Sequence, residues 1–161
     1  MTTTQAAAAA FKVSSLAETE RLAARLGPLL RSGDVVAMSG DLGSGKTAFA
    51  RGLIQALLGP ETDVPSPTFN LVLTYDLDDT VLWHFDLYRL ERPDDAFELG
   101  IEDAFASGIS LIEWPEKLGA LVPADSLRVS LTAGNGPDTR LIEMSGSGEW
   151  PARLKAMTGD D

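Results

Sequence analysis

Residues 34–59, DVVAMSGDLGSGKTAFARGLIQALLG, decide the fold of this 161-residue chain. Their centre, residues 40–47, reads G-D-L-G-S-G-K-T and satisfies the phosphate-loop pattern G-x-x-x-x-G-K-[ST] at every fixed position. Ahead of it, Val35, Val36, Ala37 and Met38 form a short apolar run of the length of a buried strand. Behind it, Ala48, Phe49, Ala50, Leu53, Ile54, Ala56, Leu57 and Leu58 supply the apolar face of a helix that Gly59 and Pro60 stop. Strand, glycine-rich turn and helix therefore follow in the order the pattern requires. Phosphate oxygens are met by backbone N–H groups, so the glycines at 40, 43 and 45 clear the approach and allow positive φ. The helix that starts near Lys46 aims its free N–H groups and positive dipole end at the same anion. Lys46 is expected to reach the β- and γ-phosphates, and the Thr47 hydroxyl to ligate Mg²⁺. The stretch reads as a nucleotide-phosphate site.

Composition sets the bounds around that site. The length suits one domain, here taken as residues 1–161, able to bury its own core. With 44% hydrophobic and 23% charged residues, the chain has the make-up of a soluble globular protein. It has no cysteine, which excludes disulfides, thiolate zinc sites and cysteine nucleophiles. No apolar run approaches the roughly 20 residues that span a bilayer, so no membrane role is expected. The opening MTTTQAAAAAF lacks the basic start of a signal peptide. A cytoplasmic location is expected, with residues 1–10 a disordered extension and the last few residues frayed. The net charge of −11, from 24 acids against 13 bases, argues against DNA binding and against a direct grip on RNA. Phosphate backbones are neutralised by basic patches, which this composition does not favour.

The rest of the chain reads as an α/β domain. Ser15 and Glu18 have capping-box spacing, and Leu16, Leu22, Ala23 and Leu26 fall on one helical face before Gly27 and Pro28. The polar start of that helix, with Ser15 and Thr19, is a candidate neighbour of the nucleotide base. Strands are expected at 11–13, 35–38, 69–75, 80–86, 109–113, 126–132 and 139–144, with short helical pieces around Gly100 and a terminal helix over 150–157. Polar turns at 76–79 and 134–137 make antiparallel hairpins. The fold expected is a P-loop NTPase: a mixed sheet of about seven strands with antiparallel hairpins, flanked by helices.

A phosphate loop needs an acid to hold Mg²⁺, and such acids end apolar strands. Asp86 ends VLWHFD, where a period of two puts Leu82, His84 and Asp86 on one face; Glu113 ends ISLIE. Thr68 lies in the proline-stiffened Ser66-Pro67-Thr68-Phe69, where a threonine that senses the γ-phosphate sits in GTPase-like proteins. Arg89 can neutralise transition-state charge, whereas Arg92 reads as a surface ion-pair residue. His84, the only histidine, is either a packed strand residue or a proton relay.

Taken in order and spacing, GDLGSGKT, SPTF, HFDLYRL and LIEWPEKLG resemble the TsaE (YjeE) family of small bacterial P-loop ATPases. The resemblance spans roughly residues 15–144, and HFDLYRL is its most specific element. The family commonly has alanine where Ser44 stands, a change the loop tolerates. The resemblance implies an ATPase with ATP and Mg²⁺ as cofactors. It would assist a TsaD–TsaB pair in making threonylcarbamoyladenosine, touching tRNA only indirectly. It also implies phosphate binding by Asp41, Leu42, Gly43, Ser44, Gly45, Lys46 and Thr47. Thr47 and Glu113 would be the Mg²⁺ residues, Asp86 a second essential acid with metal or water as its charge, and Trp114 the aromatic after Glu113. With Lys46, Asp86 and Glu113 as the catalytic set, hydrolysis is expected to be slow until a partner joins. No N-K-x-D guanine-reading motif occurs, which favours ATP over GTP. The alternatives are a small-molecule kinase, for which residues 89–92 are a short lid, and a nucleotide-gated binding module.

Overall fold

The computed structural model describes residues 7–158. Their seven strands are β1 (Ala7–Val13), β2 (Val35–Ser39), β3 (Val72–Asp76), β4 (Val81–Asp86), β5 (Ile109–Glu113), β6 (Leu127–Ala133) and β7 (Arg140–Gly146). They form one mixed sheet in the order β1-β7-β6-β2-β5-β4-β3. The middle four run parallel, and β3, β7 and β1 join antiparallel at the two sides. The sequence explains the split. A parallel strand covered on both faces reads as a continuous apolar run, and β5 is buried at every position. In the β6–β7 hairpin burial alternates, with Leu127, Val129 and Leu131 facing in from one strand and Arg140, Ile142 and Met144 from the other.

Helices α1 (Leu16–Leu26) and α2 (Lys46–Leu58) cover one face, where Leu26, Phe49, Leu53 and Ile54 meet Val36, Met38, Leu82 and Leu111. Helix α3 (Ile101–Ser107) and the 3₁₀ segments Pro93–Leu99 and Pro115–Leu121 cover the other, around Val35, Phe85 and Ile112. Helix α4 (Trp150–Thr158) closes the β1–β7 side with Trp150, Leu154 and Met157. After α2 the chain goes to β3, β4 and β5 on one side of β2, then crosses to β6 on the other. The reversal opens a crevice at the C-terminal end of β2, the place where open α/β sheets bind ligands.

Helices α1 and α2 touch through Gly52, where a Cβ would lie 2.2 Å from the Glu20 carbonyl oxygen and 2.6 Å from its Cα. Helix propensity favours alanine over glycine by about 1 kcal/mol, but forcing two backbones apart costs roughly 1–3 kcal/mol or more. Gly52→Ala is therefore expected to lower the melting temperature, and an unchanged thermal transition would show that the helices do not pack this closely.

Three expectations change. Ala7, Ala8, Ala9 and Ala10, expected to be disordered, form the first half of β1 and pair with residues 143–146 of β7. Alanine carries no strand signal of its own, but the open edge of β7 supplies the hydrogen-bond partners. Residues 1–6 and 159–161, expected as disordered and frayed, lie outside the described residues. Strand β3 starts at Val72 and not at Phe69, because Leu71 has φ 68° and breaks the extended path. Leu16, expected on the buried face of α1, is 43% exposed, and Thr19 takes the inner position.

Candidate functional site

The loop of residues 40–45 leaves the C-terminal end of β2 and enters α2 through Gly45, whose φ of 104° a side chain would strain. Beside it end the two strands that carry the acids. Glu113 is the register partner of Met38 on β2 and of Asp86 on β4. Partners on parallel strands share a face, so both carboxylates rise on the α2 side.

Thr47, in the first turn of α2, meets Glu113 directly: its Oγ1 is 3.1 Å from each carboxylate oxygen. From below, His84 Nε2 lies 2.7 Å from Glu113 Oε2, with both side chains buried. Asp86 is held differently. Its Oδ2 accepts from the Thr68 hydroxyl at 2.9 Å, and its Oδ1 from the Tyr88 N–H at 3.1 Å. The segment carrying Thr68 is also fastened by backbone, since the Asp86 N–H donates to Leu71 O at 2.9 Å and the Leu71 N–H to Pro67 O at 2.6 Å. The proline-stiffened loop and the acid of β4 are thus one unit.

Lys46 is 5% exposed. Its ammonium donates to Gly40 O and Asp41 O and lies 4.0 Å from the centre of the Trp114 ring. Burial pushes its pKa below the usual lysine value, against the opposing pull of Glu113, Glu116, Asp86 and Asp41. Trp114 has φ 63° and ψ 52°, a left-handed conformation in front of Pro115 that disfavours a bulky residue by about 1–2 kcal/mol. That turn sets its indole under Lys46 and 4.9 Å from the Tyr88 ring.

A cleft of about 310 Å³ opens here, lined by Leu16, Leu42, residues 43–47, Glu113 and Trp114. The hydroxyl and carboxylate oxygens of Thr47, Glu113 and Asp86 are hard donors of the kind Mg²⁺ takes. That ion uses one or two protein ligands and fills its octahedron with water and substrate phosphate. The described residues hold no trio of His, Cys, Asp and Glu side chains that would make an all-protein metal cage.

The expected base neighbours fare differently from the loop. The Ser15 side chain caps α1, accepting the Glu18 N–H at 3.1 Å. Thr19 is fully buried, with its hydroxyl turned back to Ser15 O at 3.3 Å, so it is not presented to a ligand. Leu16, between them in sequence, is the α1 residue that lines the cleft. Arg89 lies 5.4 Å from the centre of the exposed Phe69 ring, and Arg92 makes the surface pair with Asp95 at 3.6 Å. Sequence reasoning missed Arg140, buried and bonded to the loop carbonyls of Gly43 and Ser44. Its signal is phase, since it lies two and four residues ahead of the inward-facing Ile142 and Met144, on the same face of β7.

Among the described residues no helix is long and apolar enough to cross a membrane. The crystal structure of YdiB from Bacillus subtilis is similar in fold, with a TM-score of 0.80 over 97% of each chain at 24% identity. A tRNA threonylcarbamoyladenosine biosynthesis protein TsaE from Rickettsia conorii is 41% identical over 75% of this chain and 69% of its own length. The protein of that name from Bacillus subtilis is 33% identical over 81% of each. The model of the threonylcarbamoyl adenosine biosynthesis protein TsaE matches residues 13–142, and with the phosphate loop, Thr47 and Glu113 assembled at the C-terminal ends of β2 and β5, the chain belongs to the TsaE family.

Proposed function

We propose that this chain is a Mg²⁺-dependent ATPase of the cytoplasm that serves threonylcarbamoyladenosine formation on tRNA together with a TsaD–TsaB pair. The observation that carries the reading is the contact of the Thr47 hydroxyl with Glu113, which joins the phosphate loop to the acid of the neighbouring strand. Thr47, Glu113 and Asp86 would hold Mg²⁺, which when bound neutralises charge on the β- and γ-phosphates. The loop N–H groups and Lys46 orient the triphosphate, and the buried floor of the site keeps their charges strong. Asp86 or Glu113 would orient a water toward the γ-phosphate. Phosphate release from ATP by the purified protein, with and without Mg²⁺ and a TsaD–TsaB pair, tests the reading. Slow Mg²⁺-dependent turnover that rises with the pair is expected; no turnover in either setting would overturn it.

Hydrolysis needs a readout, and a protein of net charge −11 is poorly suited to grip tRNA itself. Thr68 is bonded to Asp86, in a segment whose Phe69 is 85% exposed. A γ-phosphate that orders this segment changes a surface that partner proteins can feel. The ATP-loaded protein is expected to bind the TsaD–TsaB pair more tightly than the ADP form. Thr68→Ala should narrow that difference more than it weakens ATP binding. Calorimetry at fixed salt with ADP and with a non-hydrolysable ATP analogue measures it; equal affinities in the two states sink the switch, because a ligand without differential effect shifts nothing.

A further inference from the structure

Arg140 opens β7 at the mouth of the β6–β7 hairpin and is 7% exposed. All its bonds go to backbone carbonyls. Nε donates to Ser44 O at 2.8 Å, Nη2 to Gly43 O at 2.8 Å, and Nη1 to Pro137 O at 3.0 Å and Thr139 O at 2.9 Å. None of the ion pairs among the described residues involves it. A buried cation without an anionic partner is costly, so its place behind a loop built to receive a polyanion calls for a reason.

Peptide geometry supplies one. In a trans peptide the C=O and the following N–H point in opposite directions. Drawing Gly43 O outward turns the Ser44 N–H inward, where it donates to Asp41 O at 3.0 Å within the loop. Drawing Ser44 O outward likewise turns the Gly45 N–H away from Arg140, toward the inside of the loop. We propose that Arg140 is a positioning residue for nucleotide phosphate. It fixes the Ser44 peptide in the turn that closes on Asp41 O, turns the Gly45 N–H toward the inside of the loop and ties the loop to the β6–β7 hairpin. It also sets a fixed positive charge behind the phosphates without touching them. The planar guanidinium spans four carbonyls, two on the loop and two on the hairpin; a lysine ammonium is a point donor that cannot bridge them. This inference rests on the nucleotide-binding reading above.

The test is calorimetric titration of the full chain and its Arg140→Met and Arg140→Lys variants with ADP, together with kcat and KM for ATP. Arg140→Met is expected to bind ADP about tenfold or more weakly, and Arg140→Lys to recover only part of the loss. KM for ATP should rise by a similar factor, a larger change than that in kcat, since Lys46, Thr47 and the two acids are intact. A residue that only held the fold together would lower the melting temperature and leave the affinity of the folded fraction unchanged. That result, or wild-type ADP affinity in a folded Arg140→Met, overturns the proposal. Where Arg140→Met does not fold, Arg140→Lys decides: wild-type affinity there overturns it, and a several-fold loss supports it. Failure of the wild-type protein to bind ADP would instead remove the nucleotide reading and this inference together.

Discussion

Lys46→Ala is expected to abolish Mg²⁺-dependent ATP hydrolysis and to weaken ATP binding by about tenfold or more. The ammonium is buried at the foot of the loop, bonded to Gly40 O and Asp41 O and resting over Trp114. Those acceptors are neutral, and burial already disfavours the charged form. Phosphate oxygens are stronger acceptors and carry charge, so the ammonium gains by leaving the carbonyls for them. Alanine removes the one side-chain cation that the loop sequence itself provides. Losing a preorganised charge at a developing anion typically costs about 10²–10³ in turnover. Arg140 does not compensate, because its donors are committed to carbonyls on the far side of the loop. Phosphate-release kinetics and calorimetric titration measure both effects, and wild-type turnover in this variant would defeat the phosphate-loop assignment.

The sheet was legible because β2 is a short, uninterrupted apolar run and β5 nearly one, and because the hairpins carry polar turns between alternating segments. Asp86 and Glu113 were legible as acids ending such runs, and the register between β4 and β5 brings them side by side. What escaped was set by partners distant in sequence. The buried stripe of α1 is Thr19, Leu22, Ala23 and Leu26, a regular helical face that starts with a polar residue. A reading by hydrophobicity picks Leu16 instead, three residues earlier, and gives Thr19 to the ligand. Arg140 is similar. Its phase announces that it points inward, but the carbonyls that receive it lie on a loop 96 and 97 residues away. Left-handed Leu71 and Trp114 follow no local rule, since neither is the glycine or asparagine that such positions favour. Leu71 shortens β3, and Trp114 places its indole under Lys46. Both conformations are held by tertiary contacts.

Asp86→Ala and Glu113→Ala are each expected to cut ATP turnover by about 10² or more, as for groups that hold a metal or orient water. Alanine at 113 also leaves His84 Nε2 and the Thr47 hydroxyl without their partner, so stability and activity fall together. Glu113→Gln separates the two. The amide oxygen still accepts from Thr47 and the shape is kept; the charge is gone, and the amide nitrogen faces His84 Nε2, which can accept from it in the Nδ1–H tautomer. The amide avoids the desolvation cost of the carboxylate but also gives up its attraction to Lys46, so the melting temperature should fall less than in Glu113→Ala. Turnover should still collapse, with the Mg²⁺ concentration for half-maximal rate shifted upward. Asp86→Asn makes the matching case on β4: the Tyr88 N–H keeps the amide oxygen as its acceptor and the amide nitrogen can donate to the Thr68 hydroxyl, while the charge is lost. Loss of turnover with an intact thermal transition in both amide variants assigns the two carboxylates to the reaction through their charge. Near-normal Mg²⁺-dependent turnover in both would place the metal site elsewhere in the molecule, and the contact between Thr47 and Glu113 would then be a structural tie between α2 and β5.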